Sequence, residues 1–153
     1  MLIQLSLATA MVALIALIHV SGLAILMRSL RLHSQWFRAV RFLPLTILVG
    51  ATLGVIAIHT VEIWLYAALY MGLRAFPRFE QALYFSTVTY ASIGYGDVLM
   101  PRQWRILGAI EGAVGIIMLG WSTAFLVSLL TQLRLLGHDW LKRSDDREGG
   151  LRL

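Results

Sequence analysis

Residues 79–97 read FEQALYFSTVTYASIGYGD, and this stretch decides the fold. Its first part, Phe79 to Tyr90, is apolar and aromatic, and as a helix it would reach only about 18 Å, roughly half a bilayer. Pro77 stands just before it, where a helix start tolerates proline. Glu80 in the first turn suits the positive end of the helix dipole. The second part, Ala91 to Asp97, is not a helical pattern, because Gly94 and Gly96 flank Tyr95. A half-length helix followed by a glycine-punctuated strand predicts a segment that enters a membrane and turns back.

The flanks support this. Leu2 to Met27 contains no Asp, Glu, Lys or Arg; Phe42 to Leu73 contains one acid, Glu62; Ile106 to Leu133 contains one acid, Glu111. Each run exceeds the ~20 residues a helix needs to cross the hydrocarbon. The chain is 59% hydrophobic and 14% charged, with mean hydropathy +0.77. A soluble domain has about 45–50% apolar and about 25% charged residues. A secreted enzyme, a disordered tail and a free nucleic-acid-binding domain are thereby excluded, and an integral membrane protein is expected. There is no cysteine, hence no disulfide and no thiolate metal site. The first run lacks the basic leader and short apolar core of a signal peptide, so it reads as a retained helix.

Net charge is +5, and the basic residues flank the apolar runs. Arg28, Arg31, Arg38 and Arg41 follow the first run; Arg134, Lys142, Arg143, Arg147 and Arg152 follow the third; Arg74, Arg78, Arg102 and Arg105 lie between the second and third. Nine against four puts the first loop and the tail in the cytoplasm and the N-terminus outside the cytoplasmic membrane. The first four arginines flank a span instead of running through it, so they read as an anchor and not as a voltage sensor.

Non-helical backbone at membrane depth is tolerated only where it is buried in protein or lines a wet cavity. Glycine reaches φ > 0 without a Cβ penalty, and alternating left- and right-handed residues would aim successive carbonyls the same way. Such carbonyls can replace the water around a bare cation, and one strand offers only one oxygen per level, so four chains would be needed to surround it.

Ser92-Ile93-Gly94-Tyr95-Gly96-Asp97 resembles the signature sequence of potassium channels, and Leu43 to Leu133 resembles the two-helix pore module of the prokaryotic members. The resemblance implies an all-α integral membrane protein with three transmembrane helices, a re-entrant pore helix and a filter loop, forming a tetrameric pore. Residues 1–30 would be an added transmembrane helix, 31–42 a basic cytoplasmic loop, 43–135 the pore domain and 136–153 a short cytoplasmic tail. Within the pore domain, 79–90 would be the pore helix, 92–97 the filter and 103–135 the inner helix. Ser92, Ile93, Gly94, Tyr95 and Gly96 would bind K+ in the filter, with the Ser92 hydroxyl at the innermost site. Asp97 would stand at the pore mouth, and Gly112 or Gly115 would be a hinge in the inner helix. The family usually has Thr where Ser92 stands, often a second Thr at the Ala91 position, and in some members Glu at the Val88 position. No cofactor beyond the permeant ion, no nucleic acid and no small-molecule substrate is implied; the partners are three further copies and lipid.

Glu62 and Glu111 are the acids inside the spans, each costing about 2.5–3.5 kcal/mol if charged and unpaired. His59 lies one turn before Glu62 on the same face. Gly108, Gly112 and Gly115 surround Glu111 and permit close helix approach. His59, Glu62 and Glu111 are therefore expected to form one polar group that braces the filter from behind, where Val88 cannot. His19 is expected to make a hydrogen bond between helices. The competing functions are a weakly selective cation channel, a non-conducting accessory subunit, and an intramembrane metal or proton site using His59 and Glu62. No nucleophile–base pair or phosphate loop marks an enzyme.

Overall fold

The computed structural model describes the backbone of residues 1–36 and 43–149, and the side chains of residues 1–30 and 45–133. The elements are α1 (Leu2–Trp36), α2 (Leu43–Gly72), α3 (Phe79–Tyr90) and α4 (Arg105–Gly149), with a 3-10 turn at Arg102–Trp104 before α4. No strand occurs among the described residues. Three stretches are long and apolar enough to cross a membrane: Leu2–Leu30, Leu45–Gly72 and Arg102–Leu133. The chain is a multi-pass membrane protein, all-helical, with a short helix between its second and third spans. Many Val, Ile and Thr residues are helical here because, in lipid, every backbone group must be satisfied within its own segment.

Two boundaries differ from expectation. α1 continues to Trp36, through the first half of the expected loop at 31–42, of which 37–42 lie outside the described residues. α4 begins at Arg105 and runs to Gly149, so most of the expected tail at 136–153 continues the inner helix. Residues 23–36 contain no Pro or Gly, and residues 134–148 contain no Pro and only Gly137. Change of polarity alone does not stop a helix; loss of backbone propensity does.

α2 stops at a built turn. Arg74 takes φ 52 and the Ala75 amide returns to the Tyr70 carbonyl at 2.9 Å. Arg78 is then extended, at φ −134 and ψ 145, and α3 starts at Phe79. α3 wedges between α2 and α4, and α1 lies along α2 and α4. Tyr70, Phe76 and Phe85 lock this wedge, with ring centroids 5.2 Å apart for Phe76–Phe85 and 5.7 Å for Tyr70–Phe85. Such aromatic pairs add about 0.5–1.5 kcal/mol each beyond burial. α1 and α2 meet at glycines: Gly22 faces Ile58 and Gly54 faces Leu26. Small residues allow this approach where lipid supplies no hydrophobic drive.

Candidate functional site: the loop after the half-helix and the groups behind it

The last turn of α3 turns its free carbonyls on the following loop. Thr87 O accepts from the Ala91 amide at 3.1 Å, Thr89 O from Ser92 at 2.9 Å, and Val88 O from both Ile93 at 2.8 Å and Gly94 at 3.1 Å. Four successive amides are thus drawn back against the helix end. Among the described residues, no backbone amide donates to a carbonyl of residues 91–97. The backbone alternates in hand: Ser92 has φ 58, Gly94 φ 57 and Gly96 φ 77, with Ile93 and Tyr95 between them outside the positive region. Glycine takes this geometry freely. Ser92 does so as a non-glycine residue, which is uncommon.

Residues 91–97 are all exposed on the single chain, Ile93 at 52% and Tyr95 at 71%. Asp97 ends the loop and accepts a hydrogen bond from the Tyr84 hydroxyl of α3 at 2.7 Å. That hydroxyl holds the Asp97 carboxyl below the usual carboxylate range.

Behind the loop, the structure brings His59 to Glu62 but seats Glu111 in a separate group. Glu62 is fully buried and meets three polar neighbours: His19 Nδ1 at 3.0 Å on one oxygen, and on the other His59 Nδ1 at 3.0 Å with the Tyr90 hydroxyl, which donates to it and lies 3.1 Å from His59 Nδ1. His59 Nε2 lies 3.0 Å from Ser122 Oγ, and His19 Nε2 lies 3.4 Å from the same atom. This group joins α1, α2, α3 and α4. Glu111, also fully buried, accepts from Tyr70 at 2.5 Å and contacts Ser86 Oγ. Ser86 Oγ also donates toward the Ile63 carbonyl at 3.0 Å. The second group therefore joins α2, α3 and α4. The two carboxylates hold α3 at its last residue, Tyr90, and one turn earlier, at Ser86.

His19, Tyr70, Ser86, Tyr90 and Ser122 were not expected in these roles, apart from the interhelical bond of His19, which is made to Glu62. The signal was available in a general form: a buried acid must find donors. Which hydroxyls supply them depends on helix register, and no single-helix period reports that. His19, His59 and Glu62 offer ligand atoms within 4.8 Å of one another.

α4 meets α3 along its glycines. A Cβ on Gly108 would lie 3.2 Å from Phe85, one on Gly112 3.4 Å from Thr89 O, and one on Gly115 only 2.0 Å from Tyr90 O. The expected hinge positions Gly112 and Gly115 thus lie inside a continuous helix, at its closest approach to the end of α3.

A family model described as an ion channel matches residues 54–132, which span most of α2, all of α3, the loop and α4 as far as the end of its membrane span. No curated protein and no solved structure matches the chain.

Proposed function

The chain belongs to the ion-channel family and is not an enzyme, and on that premise we propose that it is a potassium-selective channel of the prokaryotic type, four copies surrounding one pore. The observation that carries this reading is the alternation of positive φ at Ser92, Gly94 and Gly96, with the amides of 91–94 tied back and the carbonyls left free. A strand of that form presents a row of oxygens to one side. Four such strands would replace the hydration shell of a bare cation level by level. Ser92, Ile93, Gly94, Tyr95 and Gly96 would supply these oxygens, the Ser92 hydroxyl would close the innermost level, and Asp97 would gather cations at the mouth. The pore helix would aim the negative end of its dipole at the central cavity.

Four copies also answer the exposure of the loop. Unpaired polar backbone at membrane depth costs several kcal/mol per group unless protein or a wet pore surrounds it. Residues 43–135 would form the pore domain, with α1 an addition to it, and the basic residue bias supports a cytoplasmic C-terminus and an external N-terminus. The Glu62 and Glu111 groups would brace the filter by fixing Tyr90 and Ser86, and Gly112 and Gly115 would let the inner helix pass close behind it.

The test is ion flux in liposomes reconstituted with the purified chain, comparing potassium with sodium gradients and adding barium. Potassium flux that barium stops and sodium does not replace is the expected result. Equal flux of both ions would reassign the loop to a weakly selective cation pore. No flux from a chain that stays monomeric would favour an accessory subunit, and no flux from a confirmed tetramer would mean a closed gate or a missing partner.

A further inference from the structure

The group around Glu62 closes its hydrogen bonds unaided. The Tyr90 hydroxyl lies 3.1 Å from His59 Nδ1, His59 Nε2–H reaches Ser122 Oγ, the Ser122 proton reaches His19 Nε2, and His19 Nδ1–H reaches Glu62. The charge is a separate matter. Glu62 is fully buried, and residues 2–27, 42–73 and 106–133 contain no Lys or Arg. Among the described residues, its ion-pair neighbours are the two imidazoles. Neutral imidazoles bring no positive charge, and an uncompensated carboxylate is costly inside a membrane.

The atoms that meet at Glu62 are those a divalent transition metal takes. His19 Nδ1 and His59 Nδ1 each lie 3.0 Å from a different Glu62 oxygen. One ligand atom from each of the three residues lies within 4.8 Å of the others. Bonds of about 2.0–2.1 Å around a tetrahedral ion set neighbouring ligands ~3.3 Å apart, so the spacing suits such an ion. Two imidazoles and a carboxylate are a zinc ligand set. The Tyr90 hydroxyl, against Glu62 and His59, stands beside them as a further oxygen.

The far edges of the two rings give a second, independent observation. A ring that binds metal through Nδ1 carries its proton on Nε2 and donates it to an acceptor, which fixes tautomer and orientation. His59 Nε2 lies 3.0 Å from Ser122 Oγ, and His19 Nε2 lies 3.4 Å from the same atom. A hydroxyl oxygen has two lone pairs and accepts from both rings. Its own proton can then turn to the carbonyl one turn back, as the Thr123 hydroxyl does to Leu119 at 2.9 Å. One serine thus holds both imidazoles in the tautomer that metal binding requires.

We infer that His19, His59 and Glu62 bind one divalent transition-metal ion of the zinc class, held in register by Ser122, and that the ion clips α1 to the loop end of α3. His19 is what makes it a clip. His59 and Glu62 stand one turn apart on α2 and by themselves join nothing, whereas His19 brings in α1 and Tyr90 brings in α3. The family model matches residues 54–132, which include His59, Glu62, Tyr90 and Ser122 but not α1, so the third ligand comes from outside the matched module. On the single chain the His59 side chain is 11% exposed and those of His19 and Glu62 are 0%, which puts the way in beside His59.

The experiment uses the full chain with His33→Gln and His138→Gln, which leave His19 and His59 as its imidazoles. It is purified without a polyhistidine tag, held in lipid nanodiscs and given zinc from a chelator-buffered solution. Elemental analysis counts zinc per chain, and X-ray absorption at the zinc edge counts its neighbours. Expected is one zinc per chain, with two imidazole nitrogens at about 2.0–2.1 Å and oxygen in the remaining positions. The 15N shifts should show both rings protonated on Nε2. Ser122→Ala should weaken binding by about 10–100-fold, the usual cost of losing the acceptor behind a metal-binding ring. Glu62→Gln and His19→Gln should each lose the zinc, and zinc should raise the melting temperature of the parent chain but not of these two. No retained zinc, a zinc with fewer than two imidazole neighbours, or unchanged binding in His19→Gln would each overturn the site. If a variant misfolds, the absorption spectrum of the parent chain still decides. One zinc in a chain that conducts nothing would leave the metal site standing and remove the channel reading. A conducting chain that holds no zinc would do the reverse.

Discussion

Gly94 and Ser92 take nearly the same backbone angle, φ 57 and φ 58, at different cost. A Cβ on Gly94 would meet nothing within 4 Å on its own chain, so the penalty for Gly94→Ala is conformational, about 1–2 kcal/mol per copy. Repeated around one pore axis, that strain would be relieved by turning carbonyls away from the ion. Gly94→Ala is expected to insert and assemble but to lose potassium-over-sodium selectivity; an unchanged flux ratio would sink the filter assignment. Asp97 gives a second prediction at this scale. Its titration is depressed by the Tyr84 hydroxyl, so the bond contributes fully above the ordinary carboxylate range and is lost as pH falls through the depressed value. Tyr84→Phe should raise the pH at which Asp97 protonates, read from its carboxyl 13C shift. No movement of that shift would remove Tyr84 as the cause.

Between elements, α4 passes so close to α3 that one methyl group separates packing from collision. Gly115→Ala would set a Cβ 2.0 Å from the Tyr90 carbonyl, which is backbone and has no rotamer to move. The helices must part, at the ~1–3 kcal/mol typical of overpacking or more. Thermal unfolding in detergent should show Gly115→Ala clearly less stable than Gly120→Ala, where nothing lies within 4 Å; equal melting would mean that the approach of α4 to α3 is not as close as drawn. Glu111 is the complementary case. Ser86 has one proton and two acceptors, Ile63 O and the carboxyl of Glu111. An amide in place of that carboxyl can donate to Ser86 and still accept from Tyr70. Glu111→Gln should therefore melt within about 1 kcal/mol of the wild type, whereas Glu111→Leu strands the Tyr70 hydroxyl at about 1–3 kcal/mol, Ser86 keeping the Ile63 carbonyl. The reverse order would mean that a charged Glu111 is what the group requires. These contacts also mark where sequence reading stops. The half-helix at 79–90 was legible because its length and its Pro77 start are local properties, and the loop because Gly94 and Gly96 have a conformational meaning of their own. That His19 and Ser122, 103 positions apart, share one atom's reach follows from the rotation of α1 against α4, which no local pattern encodes.

For the whole molecule, the single chain is an incomplete solution to its own folding problem. Its spans bury only 22–28% of their most apolar windows, and the loop at 91–97 stands exposed with free carbonyls. Ile56, Val61, Ile116 and Ile117 can face lipid without penalty, since acyl chains are as apolar as they are. The loop cannot, because its oxygens need cations, water or protein. α1 and α4 run past the charges that flank their spans for a related reason: charge marks where a helix leaves the bilayer, not where it ends, and α4 at about 1.5 Å per residue is far longer than the hydrocarbon is thick. On the tetrameric reading proposed above, other copies close the loop, and the number of copies is a property of the pore axis. If the strand at 92–96 contributes one oxygen per level, a ring of four chains gives each ion two planes of four. Native mass spectrometry of the purified chain should therefore show four copies. The tetramer should hold together more firmly in potassium than in sodium, because only an ion that fits stabilises the ring. A dimer or monomer in both salts, or a tetramer indifferent to the cation, would mean that the loop is closed in some other way and that its oxygens do not meet around an ion.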